Sequence, residues 1–146
     1  MSLVYEEREQ DLFKMKKEYL LAHCVSVDCA MGAGIALEFR KRIPEMPDEM
    51  RKLNPEIGNA IPFQTRGGRT VLNLFTKEKY YHKPSYENFT ESINAFREFV
   101  LKEGITHVAI PKLGSGLDKL DWKRVSTIIQ EIFSEDEVFI VVCIKK

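Results

Sequence analysis

A chain of 146 residues, 44% hydrophobic and 30% charged, has the size and balance of one globular domain that needs no covalent staples. Its 22 basic and 22 acidic side chains cancel, which excludes a global basic field for drawing in nucleic acid. Cys24, Cys29 and Cys143 form neither a disulfide framework nor a metal set, and no run of about 18 apolar residues exists to cross a membrane. Free cysteines and a charged start without a signal-type apolar region predict an intracellular protein, cytosolic or nuclear.

The segment Leu3–Glu9 reads as an opening strand whose charges place it at a sheet edge. Tyr19–Val25 is an apolar run expected as a buried strand, and the small residues of Ser26–Gly34 then form a loop. Ile35, Phe39 and Ile43 recur every fourth residue, so a helix follows, stopped by Pro44 and Pro47. Met46, Met50 and Leu53 predict a second short helix.

Ile57–Gln64 and Thr70–Phe75 flank Arg66-Gly67-Gly68-Arg69 and read as a hairpin. Lys77–Pro84 is a polar, aromatic loop. Ser85 is a natural N-cap for a long helix with a buried face of Phe89, Ile93, Phe96 and Val100, ended by Gly104. His107–Ile110 is a short strand and Pro111–Asp118 a second glycine loop. Asp121 caps a last helix carrying Trp122, Val125, Ile129, Ile132 and Phe133, and Val138–Ile144 closes the chain as a strand buried on both faces. This order predicts an α/β fold: a mixed sheet of about six strands with helices on both faces.

Both glycine loops leave the C-terminal ends of strands, where such sheets collect ligands. Gly32-Ala33-Gly34 runs into a helix N-terminus, so its free N–H groups and partial positive charge suit a phosphate. Gly114-Ser115-Gly116 fits more loosely. Neither loop matches a dinucleotide or an ATP-binding fingerprint, and either alone reads as an ordinary tight turn.

Taken in order, the segments Ala22–Cys24, Cys29–Ala36, Thr76-Lys77, His82–Asn88 and Pro111–Asp118 resemble the macrodomain family. More narrowly they resemble its ALC1-like branch, the one containing terminal ADP-ribose protein glycohydrolase. The resemblance runs from about Asp11 to about Ile144 and implies a single macrodomain that binds ADP-ribose above a mixed sheet. It implies that Asp11 and Leu12 meet the adenosine. Ser26, Met31, Gly32, Ala33, Gly34 and Ile35 would surround the diphosphate and distal ribose, and Gly114, Ser115, Gly116 and Leu117 would form a second phosphate loop.

Lys77 and Asp118 match the branch's catalytic pair. A lysine amine can attack C1″ of the distal ribose and expel a carboxylate, while an aspartate shuttles protons. The implied activities are removal of ADP-ribose from acidic side chains and deacylation of O-acyl-ADP-ribose, without cofactor or metal. The implied partners are ADP-ribose and ADP-ribosylated proteins, met by a monomer that touches no membrane. A non-catalytic ADP-ribose reader fits the glycine loops equally well. Action on ADP-ribosylated DNA bases is a further alternative, with Arg66, Arg69, Lys77, Lys79 and Lys83 as a basic cluster.

Some residues carry simpler readings. His23 in an apolar run is a core histidine, and Cys24 and Cys29 are small packing residues. An aromatic that the family often places near the chain end is replaced here by Cys143, which leaves Phe13 as the candidate to stack on adenine.

Overall fold

The computed structural model describes residues 2–116 and 118–145, so Leu117 of the second glycine loop lies outside the described residues. One sheet runs in the order β1 (Val4–Glu9), β6 (Phe139–Ile144), β5 (His107–Ile110), β2 (Leu20–Ser26), β4 (Thr70–Lys77) and β3 (Ala60–Gln64). All neighbours are parallel except β3, which pairs antiparallel with β4 through the expected hairpin. The charged β1 forms one edge, as its composition predicts.

The sheet is covered on both faces because alternate residues of each central strand serve different cores. Leu20 and Ala22 of β2, Leu72 and Leu74 of β4, and Ile140 and Val142 of β6 pack beneath α3 (Tyr86–Lys102) and α4 (Trp122–Phe133). Leu21, Val71, Val141 and Cys143 point the other way, toward α1 (Gly34–Arg42) and α2 (Met46–Lys52). Phe89, Ile93, Phe96 and Val100 are buried as the spacing requires, as are Val125, Ile129 and Phe133. Trp122 and Ile132 are half-buried at the margin of that core.

The predicted caps form. The Ser85 hydroxyl accepts from Asn88 N–H at 3.0 Å, and Asp121 accepts from Lys123 N–H at 3.2 Å. Three expectations differ. Pro47 opens α2 instead of stopping α1, since a missing N–H costs nothing in a helix's first turn. Leu53 is exposed, because it follows the end of α2 and leaves the buried face made by Met46 and Met50. Residues 57–59 lie in a turn that precedes β3, with Gly58 at a positive φ.

The α1/α2 side buries a polar pair. His23 donates from Nε2 to Asn73 Oδ1 at 2.7 Å and stacks on Phe39, with ring centroids 3.9 Å apart. Asn73 in turn donates to Ile61 O at 3.2 Å and faces the sulfur atoms of Met46 and Met50. His23 is thus a core histidine, although its Nδ1 has no hydrogen-bond partner among the described residues.

Burial pushes the His23 imidazole down to about 4, so the folded state keeps it neutral where the unfolded chain begins to protonate near 6.5. Stability from this group is therefore complete above pH 6.5 and is lost as the pH falls toward 4. Urea unfolding should show a loss of about 2 kcal/mol from this histidine between pH 7 and pH 5. His23→Leu should remove that part of the pH dependence; an unchanged slope would contradict the assignment.

Candidate functional site

The parallel strands β1, β2, β4, β5 and β6 all end on one side of the sheet, and the loops that follow them enclose a two-lobed cleft. The larger lobe, about 510 Å³, is lined by Ser26, Met31, Gly32, Ala33, Gly34, Ile35, Lys77, Gly114, Ser115, Gly116 and Asp118. The smaller, about 340 Å³, contains Asp11, Leu12 and Phe13. Ile35, Pro111 and Lys112 line both lobes. Every described residue assigned by sequence to a ligand or to catalysis therefore lies on this cleft.

The loop after β2 is shaped from outside. Arg51 donates to Asp28 O at 3.2 Å and to Cys29 O at 2.9 Å, and Arg40 donates to Ala30 O at 3.3 Å. With three successive carbonyls committed to arginines of α1 and α2, the loop follows an unusual course. Cys29 and Met31 hold φ values of +55° and +44°, conformations that non-glycine residues rarely adopt. The loop then enters α1, which no side chain caps among the described residues. Among the described residues, the N–H groups from Met31 to Ala36 find no acceptor in the protein. An uncapped helix start on a cavity wall is an anion site by geometry and by dipole.

The second loop is less available. Ser115 turns both its N–H (3.3 Å) and its hydroxyl (2.8 Å) onto Lys112 O. The clamp is asymmetric, with most free donors on the first loop.

At the far wall of the larger lobe, Lys77 Nζ lies 2.5 Å from Asp118 Oδ1 and 2.9 Å from Tyr80 O. The two side chains are 11% and 16% exposed, so the pair is largely removed from water. β4 carries a register shift against β2: Val25 pairs with Phe75, but Ser26 pairs with Lys77. This bulge re-aims Lys77 at the strand end. Cys24 also lines the lobe, but burial, reinforced by the Asp118 charge, pushes its thiol far above the ordinary range and removes it as a nucleophile.

In the smaller lobe Asp11 caps a single 3-10 turn, Leu12–Lys14, by accepting from Phe13 N–H at 2.9 Å. Phe13 does not offer a bare stacking face. The Arg42 guanidinium carbon lies 3.9 Å from its ring centroid, and Phe39 meets the ring edge-on at 4.7 Å. Cys143, whose thiol burial pushes up to about 11, forms part of the same wall.

One further expectation is corrected. Arg66 and Arg69 do not join Lys77, Lys79 and Lys83 in one basic patch, because β4 separates them by roughly 23 Å. Arg69 instead holds Met15 O and Tyr19 O. Sequence reasoning missed Asp28, Arg40, Arg51 and the contact of Arg42 with Phe13. Their roles depend on contacts to backbone carbonyls or across the fold, which spacing does not reveal.

The site thus defines an α/β domain with a preformed anion cradle and a sequestered lysine–aspartate pair. No family model matches the chain. It is 39% identical over 135 residues to human ADP-ribose glycohydrolase OARD1, covering 90% of this chain and 86% of that protein. It is 33% identical over 137 residues to DNA ADP-ribosyl glycohydrolase of Mycobacterium tuberculosis, covering 86% of this chain and 37% of that one. Its structure matches the macrodomain of Thermus aquaticus DarG with a TM-score of 0.86 over 99% of each chain, at 22% identity. The chain belongs to the macrodomain family.

The glycines of the cleft divide into two kinds. Gly114 has φ +69°, and a Cβ there would lie 2.9 Å from Leu120 Cδ1. At Gly116 a Cβ meets nothing within 4 Å, and at Gly32 only Ala30 O at 4.0 Å. Gly114→Ala should lower unfolding free energy by about 1–3 kcal/mol. Gly32→Ala and Gly116→Ala should stay within about 0.5 kcal/mol of wild type, and equal losses at all three positions would contradict this division.

Proposed function

We propose that this macrodomain is an ADP-ribosyl hydrolase of the branch that contains terminal ADP-ribose protein glycohydrolase. It releases ADP-ribose from modified glutamate and aspartate side chains and deacylates O-acyl-ADP-ribose. The carrying observation is Lys77 Nζ, 2.5 Å from Asp118 Oδ1, across one cavity from an uncapped helix start. A reader of ADP-ribose needs the anion cradle, but it has no use for a lysine and an aspartate withdrawn from water beside it.

In this reading the diphosphate takes the N–H groups between Met31 and Ala36, and the adenosine takes the lobe of Asp11 and Leu12. Asp118 accepts a proton from the Lys77 ammonium. The freed amine attacks C1″ as the bond from C1″ to the carboxylate oxygen breaks, Asp118 passes its proton to the departing carboxylate, and the ribosyl-lysine adduct opens to an iminium. Asp118 then activates water to hydrolyse the lysine adduct, which returns ADP-ribose and the amine.

A second reading, ADP-ribose carried by DNA, draws on the rim of the cleft. Tyr80 and Tyr81 are 62% and 69% exposed, and Lys79 and Lys83 flank them. Activity on an ADP-ribosylated oligonucleotide that falls steeply with salt, beside salt-insensitive activity on protein, would favour it.

Turnover of a glutamate-ADP-ribosylated protein should fall to background in Lys77→Ala and by about 100- to 10,000-fold in Asp118→Ala, with ADP-ribose binding retained in both. Undiminished release by Lys77→Ala would refute the lysine mechanism. Calorimetry should show Gly32→Ala and Gly116→Ala binding ADP-ribose at least about tenfold more weakly, since each new methyl occupies ligand space. Unchanged affinity would move the diphosphate off these loops.

A further inference from the structure

We propose that Asp28 is a positioning residue for the Lys77 amine, acting through the peptide group of Tyr80. This inference rests on the reading of Lys77 as the nucleophile.

Asp28 follows β2, on the cleft side of the bulge. Its Oδ1 accepts from Ser26 Oγ at 2.5 Å and from Ala30 N–H at 3.2 Å, and its Oδ2 accepts from Tyr80 N–H at 3.1 Å. Tyr80 then offers its carbonyl oxygen to Lys77 Nζ at 2.9 Å. The lysine amine thus has two fixed acceptors, Asp118 and a peptide that Asp28 holds. A lysine stem has four rotatable carbons, so one acceptor alone leaves the nitrogen free to swing about it. The second acceptor is useful only if it is itself immobile.

The two loops that Asp28 joins differ in how they are otherwise held. The loop after β2 keeps Arg40, Arg51 and the Cys29 N–H to Ser26 O bond at 2.9 Å whether or not Asp28 is present. The Tyr80 N–H has no acceptor but Asp28 among the described residues. The segment after Lys77 keeps its own main-chain bonds, from Val27 N–H to Lys77 O at 2.9 Å, Asp28 N–H to Glu78 O at 3.2 Å and His82 N–H to Lys79 O at 3.0 Å, so loss of the carboxylate falls on the Tyr80 peptide itself. Burial pushes the Asp28 carboxyl up, but the bonds from Ser26, Tyr80 and Ala30, with the Lys79 charge, outweigh it and hold the group below its ordinary value. Those bonds are thus made to the charged form, which has acceptors for all three donors at once.

The test compares turnover of glutamate-ADP-ribosylated protein with calorimetric binding of ADP-ribose, for wild type, Asp28→Ala, Asp28→Asn and Lys77→Ala. Asp28→Ala should lower kcat by about 10- to 100-fold while the Kd for ADP-ribose moves by less than about threefold. Asp28→Asn, which keeps one acceptor oxygen, should fall between. A kcat for Asp28→Ala within about twofold of wild type would overturn the inference, as would equal losses in kcat and binding. Hydrogen exchange on wild type tests the same contact without a variant. The Tyr80 amide should be protected relative to that of Tyr81, and equal exchange would also overturn it. If Lys77→Ala keeps turning over, the nucleophile assignment has failed. If Lys77→Ala is inactive while Asp28→Ala is not, only the positioning role has failed.

Discussion

Everything distinctive about this cleft depends on the ion pair between Lys77 and Asp118, made where both side chains are largely shielded from solvent. Such a pair gives up hydration that its mutual attraction only partly returns, so it is a poor device for stability alone. The fold holds it from three directions. A bulge turns the end of β4, the Tyr80 carbonyl takes the amine, and the loop before α4 presents the aspartate. The core does not need the pair, since Phe89, Ile93, Phe96 and Phe133 are buried without it. Its position is explained by what lies opposite, a helix start with no cap.

The two sides of the cavity solve different physical problems. An anion cradle needs backbone N–H groups pointing inward, which means that the matching carbonyls must be satisfied elsewhere. Arg40 does this for Ala30 O, the carbonyl of the peptide that carries the Met31 N–H, and Arg51 fixes the two carbonyls before it from outside. A nucleophilic amine needs the opposite treatment, carbonyl and carboxylate oxygens pointing at it from close range. Asp28 sits where the two arrangements meet and touches both. In the proposed reaction the distance from diphosphate to reacting carbon is set by the protein and need not be organised by the ligand.

Much of this was legible in the chain, and the reasons are specific. Strand identity followed from continuous apolar runs such as Val138–Ile144, and the long helix from the Ser85 cap followed by Phe89, Ile93, Phe96 and Val100 at helical spacing. The glycine loops marked only the strand ends where a ligand would sit, and Asp11, Leu12, Lys77 and Asp118 were legible through the resemblance to the macrodomain family. Local pattern failed where a residue's role depends on distant partners. Pro47 reads as a stop and acts as a start because α2 begins beside it. Phe13 reads as a free aromatic, but Arg42, a full helix away, covers it. Asp28 reads as a loop aspartate, because nothing in its neighbourhood announces Tyr80, 52 positions on.

The central claim is that the Lys77 nitrogen forms a bond to C1″ of the distal ribose during turnover. The most direct measurement is reductive trapping. The protein is incubated with glutamate-ADP-ribosylated substrate in the presence of a borohydride reductant, digested, and the modified peptide located by mass spectrometry. The account predicts a stable ADP-ribosyl adduct on Lys77 that accumulates as turnover is lost. Turnover that resists the reductant and leaves Lys77 unmodified, or an adduct confined to Lys79 or Lys83, would contradict it.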